Sequence, residues 1–233
     1  MSRPLLSFFL VTPVTAGILA VTLGVVCIAA DVIAPDATPL VRAALFAGVG
    51  PAPWALVAFL VGAVAGRSGG GMITGMFWGV GSLLAADAIY YLGHVYLGTR
   101  SMSDTLVRSA LVWGIVAIIA GVGFGAAGSL WANGSPSVAG IALALVASTL
   151  VVEAAYLGGR TVLETIQSGA IPPGADRGRL LFAVVEGLLG VTLVVLAPRG
   201  GRLSFAVTLA GASAMAFFLG PMLMDVTGTA IAG

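Results

Sequence analysis

The sequence predicts an all-α integral membrane protein: a single domain over residues 1–233, built as one bundle of about seven transmembrane helices. Hydrophobic residues make up 59% of the 233 residues and charged residues only 8%, whereas an ordinary soluble domain carries about 25% charged residues. The mean hydropathy is +1.12. Because so few charges cannot cover a water-facing surface, we expect a multi-pass protein of a cell membrane, taken here to be a bacterial plasma membrane.

The predicted spans follow from apolar length and from glycine and proline punctuation, since roughly 20 apolar residues cross a bilayer. In chain order they cover about 6–30, 51–66, 71–97, 109–131, 137–158, 180–197 and 203–224. The first run contains Pro13 and is too long for the apolar part of a signal peptide, so a retained span is expected. The apolar run 39–50 is short and predicts a half-helix or re-entrant piece. The stretch 66–70 predicts a tight turn, and 159–179 predicts a polar connector.

Glycines recur four residues apart in the third and fourth predicted spans. They are Gly71, Gly75 and Gly79 in the third, and Gly121 and Gly125 in the fourth. Small residues at this spacing let helices approach closely in lipid. We therefore expect these positions to pack helix against helix rather than to bind a ligand.

The rare residue types exclude several functions. All ten basic residues are arginine, so no lysine can form a Schiff base with a cofactor. Cys27 and His94 are the only residues of their kinds, which leaves no internal disulfide and no ordinary zinc site. We expect no metal and no cofactor. The formal net charge of +1 gives no reason to expect a nucleic acid partner.

Acidic side chains are predicted to gather in one half of the membrane. Odd-numbered spans end on the side where even-numbered spans begin, and this places six polar residues together: Asp31, Asp87, His94, Glu153, Glu186 and Asp225. Asp87, Glu153 and Glu186 would lie roughly 7–15 Å below that surface at 1.5 Å per residue. A carboxyl group inside a membrane is costly and indicates a functional site. For Asp31 and Asp225, at the ends of two spans, the sequence leaves a surface role open.

Aromatic residues share this half. Asp87, Tyr90, Tyr91 and His94 are spaced so that they lie on one helical face. We predict substrate contacts for five aromatic side chains: Trp54, Tyr90, Tyr91, Trp113 and Tyr156. Tyrosine and tryptophan also form belts at the membrane interface, and His94 could be an interfacial hydrogen-bonded histidine. Both alternatives stay open at this point.

Two blocks of sequence carry a family resemblance. One is PAPWALVAFLVGAVAGR (51–67), continued by AADAIYYLG (85–93). The other is WGIVAIIAGVGFGAAGSLW (113–131), followed by ALALVASTLVVEAAYL (142–157). Together they resemble an uncharacterised family of actinobacterial multi-pass membrane proteins over about half the chain. That family has no assigned activity, so the resemblance implies no site residues.

A carboxyl group in apolar surroundings is favoured in its neutral form, so it can donate a proton near neutral pH. We therefore expect a membrane enzyme that acts on a lipophilic, isoprenoid substrate within membrane lipid. In this cyclase hypothesis Asp87, Glu153 and Glu186 supply the proton, His94 is the terminal base, and aromatic faces stabilise cationic intermediates. The chain is similar to small seven-span terpene cyclases in size and span count, by analogy alone. The alternatives are a small proton-coupled transporter and an accessory membrane subunit.

Overall fold

The computed structural model describes residues 3–33, 38–46, 50–169 and 175–213, and these ranges are almost entirely helical. The helices, in chain order, are α1 (Arg3–Ile33), α2 (Pro39–Phe46), α3 (Pro51–Ala65), α4 (Gly71–Tyr96), α5 (Asp104–Asn133), α6 (Pro136–Ser168), α7 (Ala175–Leu196) and α8 (202–213). The described part of the chain contains no strand. The expected all-α class is thereby confirmed, whereas Asp225 lies outside the described residues.

Four helices are long and apolar enough to cross a membrane: α1, α4, α5 and α6. The pair α2–α3 could form a fifth span, with an angle of 55° between its two helices. The predicted count of seven spans is therefore confirmed only in part. Helix α7 overlaps the predicted sixth span, and α8 covers residues 203–213 of the predicted seventh span, whose remainder lies outside the described residues. Neither helix is among these candidates.

The short apolar run at 39–50 becomes the separate helix α2, as the sequence predicts. It ends at Phe46, and α3 begins at Pro51 with proline in its first turn. Proline suits this position because the first N–H groups of a helix have no partner within the helix. The result is a discontinuous helix pair that leaves the N-terminal end of α3 inside the bundle.

A tight turn joins α3 to α4, as predicted for 66–70. One turn of π-helix covers Gly66–Gly70, and Gly69 and Gly71 have φ of 87° and 68°. These angles lie in the left-handed region, which glycine adopts without steric cost. The guanidinium of Arg67 lies 4.9 Å from the centre of the Trp131 ring at this end of the bundle.

The predicted polar connector 159–179 is wrong at both ends, because α7 begins at Ala175 and α6 continues to Ser168. The helix is held there by an ion pair of 2.7 Å between Arg160 and Glu164. Hydroxyl groups of Thr161 and Thr165 donate to carbonyls four residues earlier, at 2.9 and 2.8 Å. At 33 residues, α6 is about 50 Å long, which exceeds the roughly 30 Å of the hydrocarbon core. The polar turns can therefore project beyond the lipid.

Glycines pack the centre of the bundle, which confirms the interpretation of their spacing. A Cβ on Gly75 or Gly79 would collide with the backbone of α5. Similarly, a Cβ on Gly62 of α3 would collide with Gly125. Gly71, in contrast, has open space around it and serves the turn. Close backbone contact among α3, α4 and α5 fixes which faces of these helices meet.

The outward face of α5 is apolar. Its exposed large side chains recur at helical spacing: Leu111, Ile115, Ile118, Ile119 and Val122. In water such a surface would be costly, whereas in lipid it is the expected exterior of a span. This face supports membrane burial independently of the composition.

Candidate functional site

Two buried glutamates face each other between α6 and α7. Glu153 is 7% exposed and Glu186 is 2% exposed. The helices run antiparallel, with Ala154 opposite Gly187 and Gly158 opposite Ala183. By this register Glu186 lies about 3 Å along the helix axis from the level of Glu153. The two carboxyl groups are within electrostatic range of each other, and we call them the glutamate pair.

The N-terminal end of α3 binds Glu153. The backbone N–H of Ala52 donates to Oε2 of Glu153 at 2.7 Å. A Cβ on Gly50 would overlap the same carboxylate, so only glycine lets the chain approach this closely. Free N–H groups and the helix dipole stabilise negative charge at this end of a helix. The residue pattern explains this contact: Pro51 and Pro53 start a helix whose first free N–H points at Glu153.

Glu186 has no such support. Neither of its carboxyl oxygens has a hydrogen-bond partner among the described residues. One turn earlier on α7, Phe182 stacks on Phe46 of α2 with ring centres 6.1 Å apart. Residues four apart share a helical face, so Glu186 faces the side on which α2 ends and α3 begins. Neither Glu153 nor Glu186 belongs to an ion pair in the described ranges.

Asp87 lies apart from the glutamate pair. It is 7% exposed and faces α5, where the Cβ position of Gly114 is 3.9 Å from its Oδ2. Tyr91 follows one turn later on α4 and is within electrostatic range. In the part of the chain that the structure describes, no contact joins Asp87 to either glutamate. The three carboxyl groups thus divide into a pair and a single residue.

A third polar group, the mouth cluster, joins the end of α1 to the end of α4. It consists of Asp31, Tyr90, His94, Thr99 and Arg100. The Tyr90 hydroxyl donates to Oδ2 of Asp31 at 2.6 Å, and the Arg100 guanidinium donates to the same oxygen at 2.7 Å. Nε2 of His94 lies 3.4 Å from that oxygen. Asp31, whose role the sequence left open, is therefore the centre of this cluster.

His94 is held from its other ring nitrogen. Nδ1 lies 2.7 Å from the Thr99 hydroxyl oxygen, and that hydroxyl donates to the His94 carbonyl at 3.1 Å. The cluster borders an open cavity of about 550 Å³, lined by Asp31, Val32, His94, Thr99 and Arg100. A neighbouring cavity of about 390 Å³ continues along the connector towards α5. Arg100 and Asp31 are 43% and 33% exposed, so this end of the bundle is open to the outside.

Sequence reasoning missed Arg100 and Thr99. Both lie in the connector between α4 and α5, where periodicity carries no information about neighbours. The available signal was their closeness in sequence to His94, since a helix that ends at Tyr96 brings the next few residues back over its last turn. Arg100 also lies 5.7 Å from the centre of the Tyr90 ring.

The predicted aromatic residues take two kinds of position. Tyr90 packs edge-to-face against Tyr91 and His94, with ring centres 4.9 and 4.7 Å apart. Trp113 is 40% exposed and Tyr156 is 56% exposed on the outside of the bundle.

Trp54 is half-buried in the apolar cluster shared by α1, α3 and α4. Its side chain hydrogen-bonds the Cys27 thiol. A substrate role for these five aromatic residues stays a prediction. Within the described ranges, no group of three or more metal-ligating side chains could hold a metal ion.

These features define a class: a multi-pass membrane protein of α-helices with carboxyl groups buried away from arginine. The chain belongs to the family described as "Family of unknown function (DUF6518)", which matches residues 8–226. This confirms membership of an uncharacterised family, while an actinobacterial origin stays a prediction. No curated protein and no solved structure matches the chain.

Proposed function

We propose that the glutamate pair is a proton-binding site and that the protein couples the loading and release of this proton to transport of a small solute across the membrane. One observation carries the proposal. Glu186 is 2% exposed, and neither of its oxygens has a partner among the described residues. It lies beside Glu153, which binds the first turn of α3. This is the proton-coupled alternative that the sequence left open.

The proton follows from the cost of burying charge. Two ionised carboxyl groups at close range repel each other, and neither has a cation to offset desolvation. One shared proton removes the repulsion, so the pair titrates as a unit. The N–H of Ala52 supports the charge on Glu153, which makes Glu186 the natural carrier of the proton.

Loss of the proton can move helices because Glu186 of α7 lies close to Glu153 of α6. With both groups charged, repulsion would push α7 away from α6. Helix α7 also holds α2 through the stacked rings of Phe46 and Phe182, so α2 would move with it. Discontinuous helices that present a helix end to a charged group are a common device of secondary transporters. The proposed moving element is therefore α2 with α7, against α3 and α6.

Infrared difference spectroscopy tests the proton directly. The C=O stretch of a protonated carboxyl group is separate from the bands of a carboxylate. Wild-type protein in lipid is expected to show the acid band of the pair, and Glu186→Gln is expected to remove it. Glu164→Gln is the matched control, since Glu164 is a half-exposed carboxylate on α6 paired with Arg160 and Arg179. An acid band unchanged in Glu186→Gln would refute the assignment.

Vesicles test the coupling. Purified protein is placed in liposomes that contain a pH-sensitive dye, and a panel of small cationic, anionic and neutral solutes is added outside. A transported solute is expected to move protons in the wild type. With Glu153→Gln or Glu186→Gln the signal should fall to that of empty vesicles, and with Glu164→Gln it should persist. Solute movement without any proton signal would contradict the coupling.

Acid catalysis on an isoprenoid is the second candidate, and the lack of a partner for Glu186 favours it as well. A neutral carboxyl group without a hydrogen-bond acceptor is free to give its proton to an alkene or an epoxide. Membranes that contain the protein would then convert a plain or epoxidised polyprenyl substrate, and membranes with Glu186→Gln would not. Turnover without solute-driven proton movement would favour the enzyme over the transporter.

A further inference from the structure

The mouth cluster places a histidine next to a carboxylate, an arrangement that the glutamate pair lacks. We infer that Asp31 and His94 form a second proton-binding site, between α1 and α4, which takes its proton from water in the adjoining cavity. The site stands on its own contacts. Its role as the place where protons enter the bundle rests in addition on the proposed function.

The hydrogen bonds of Thr99 fix the form of the neutral histidine ring. A hydroxyl group has one proton, and in Thr99 that proton is donated to the His94 carbonyl. The hydroxyl oxygen is therefore an acceptor for Nδ1, 2.7 Å away. Because both contacts of the hydroxyl are satisfied together only when Nδ1 is the donor, we assign the proton of neutral His94 to Nδ1, which leaves a lone pair on Nε2.

That lone pair faces an anion. Nε2 is buried and has no hydrogen-bond partner within the described part of the chain, and Oδ2 of the Asp31 carboxylate is 3.4 Å away. Two acceptors that face each other lack a proton between them. When Nε2 takes up a proton, it becomes a charged donor to the carboxylate, and such bonds shorten to about 2.7–2.9 Å. The transfer is one proton from cavity water to nitrogen, and no covalent bond between heavy atoms changes.

Three groups face the ring in the described residues. Asp31 comes from α1, Arg100 from the connector, and Tyr90 from α4 itself. Arg100 already neutralises Asp31 at 2.7 Å, and the Tyr90 hydroxyl donates to the same oxygen. Proton uptake thus changes the cluster from neutral to a single positive charge, beside water that can solvate it.

The bound proton would also strengthen the joint between two helices. Asp31 is near the end of α1 and His94 is in the last turn of α4. Asp87 lies on the same face of α4, seven residues and therefore roughly 10 Å further in. The mouth cluster is thus the water-facing end of a polar face that leads to a buried carboxyl group.

The chain offers a clean test because His94 is its only histidine. Full-length protein labelled with ¹⁵N-histidine, in lipid nanodiscs, gives one set of ring signals in long-range ¹H–¹⁵N spectra. At a pH of about 9, above the ordinary histidine range near 6.5, the spectrum should show the proton on Nδ1. In acid, both nitrogens should be protonated. A proton on Nε2 at high pH would overturn the inference.

Variants at Thr99 test whether its hydroxyl group places the proton on Nδ1 of His94. Thr99→Val removes the acceptor for Nδ1, so the neutral ring should change to the form with its proton on Nε2, donated to Asp31. Thr99→Ser keeps the hydroxyl group and should keep the wild-type spectrum. The same spectrum in all three proteins would overturn the role given to Thr99. It would also overturn the assignment of a lone pair to Nε2.

A variant at Asp31 checks the partner. In Asp31→Asn the acid form of the ring should lose the downfield shift of an Nε2–H bonded to a carboxylate. Asp104→Asn, an exposed carboxylate at the start of α5, is the matched control and should leave the shift unchanged. No difference between the two variants would contradict the proposed proton site.

Failure of this site and failure of the glutamate pair can be told apart. Glu186→Gln should leave the His94 ring spectrum as it is, and Thr99→Val should leave the carboxylic acid band of the pair as it is. The ring spectrum therefore tests the mouth cluster, and the infrared band tests the glutamate pair.

Discussion

The glutamate pair and the mouth cluster hold carboxyl groups in opposite ways. In the mouth cluster one oxygen of Asp31 receives hydrogen bonds from Tyr90 and Arg100, beside an open cavity. In the pair, Glu153 receives one backbone N–H and Glu186 receives nothing. The Asp31 carboxylate is stabilised by two donors, whereas the glutamate pair has one donor among the described residues, the N–H of Ala52. The comparison separates a carboxylate that is paired with an arginine from two carboxyl groups that have no arginine partner among the described residues.

The largest effect is expected at Gly50. A Cβ there would overlap the Glu153 carboxylate, so Gly50→Ala should displace Glu153 and break its bond to Ala52. We expect a loss of about 2–3 kcal/mol, the usual cost of overpacking a tight site. Thermal unfolding of the purified protein in detergent measures it. Gly81→Ala is the matched control, because nothing lies near a Cβ at Gly81.

Glu186→Met should act in the opposite direction. It replaces an unpartnered buried carboxyl group by an apolar side chain of similar volume, and such replacements are often stabilising by about 1–2 kcal/mol. The same variant should lose the proton-dependent activity. The unfolding temperature and the vesicle assay are measured on one preparation. A clear loss of stability would indicate that Glu186 has a structural partner.

Asp31→Ala should destabilise the protein. It leaves the Tyr90 hydroxyl and Arg100 without their shared acceptor, and it removes a polar link between α1 and α4. Since Asp31 is a third exposed, water replaces part of the lost bonding, and we expect a loss of about 1 kcal/mol. Thermal unfolding again measures it. If Asp31→Ala and Glu186→Met changed stability in the same direction, the contrast between the two clusters would fail.

The smallest effect is expected at Glu164. Glu164 lies on the part of α6 that can project from the membrane, where it bonds Arg160 of the same helix and Arg179 of α7. Ion pairs near solvent contribute little. Glu164→Gln should leave both the unfolding temperature and the vesicle signal unchanged within error. A large change would mean that the extension of α6 belongs to the functional part of the molecule.

The contacts agree with the placement of the polar residues at one end of the bundle, which the sequence predicted from the direction of successive spans. Asp31 meets His94, and Glu153 meets the start of α3. Nothing in the sequence divides Asp87, Glu153 and Glu186 into a pair and a single residue. Asp87 and Glu153 have similar depth and similar surroundings in the sequence, but one faces α5 and the other faces α3 and α7.

The length of α6 shows a second limit of the sequence. Hydropathy falls after Gly158, and this decline predicts the end of the span. The helix nevertheless continues to Ser168, because Arg160 donates to Glu164 along its surface and the hydroxyls of Thr161 and Thr165 donate to backbone carbonyls one turn earlier. Polarity marks where the lipid ends, but the backbone hydrogen bonds decide where the helix ends.

The amino-acid sequence by itself determined the membrane class, the helical class and most of the helix ends. These depend on the transfer of apolar side chains out of water and on glycine and proline, which act locally along the chain. Only the tertiary structure decided that Glu186 meets Glu153 and not Asp87, and that Arg100 returns to Asp31. Those pairings depend on which helix faces come together, and the faces are set by glycine contacts between helices far apart in sequence.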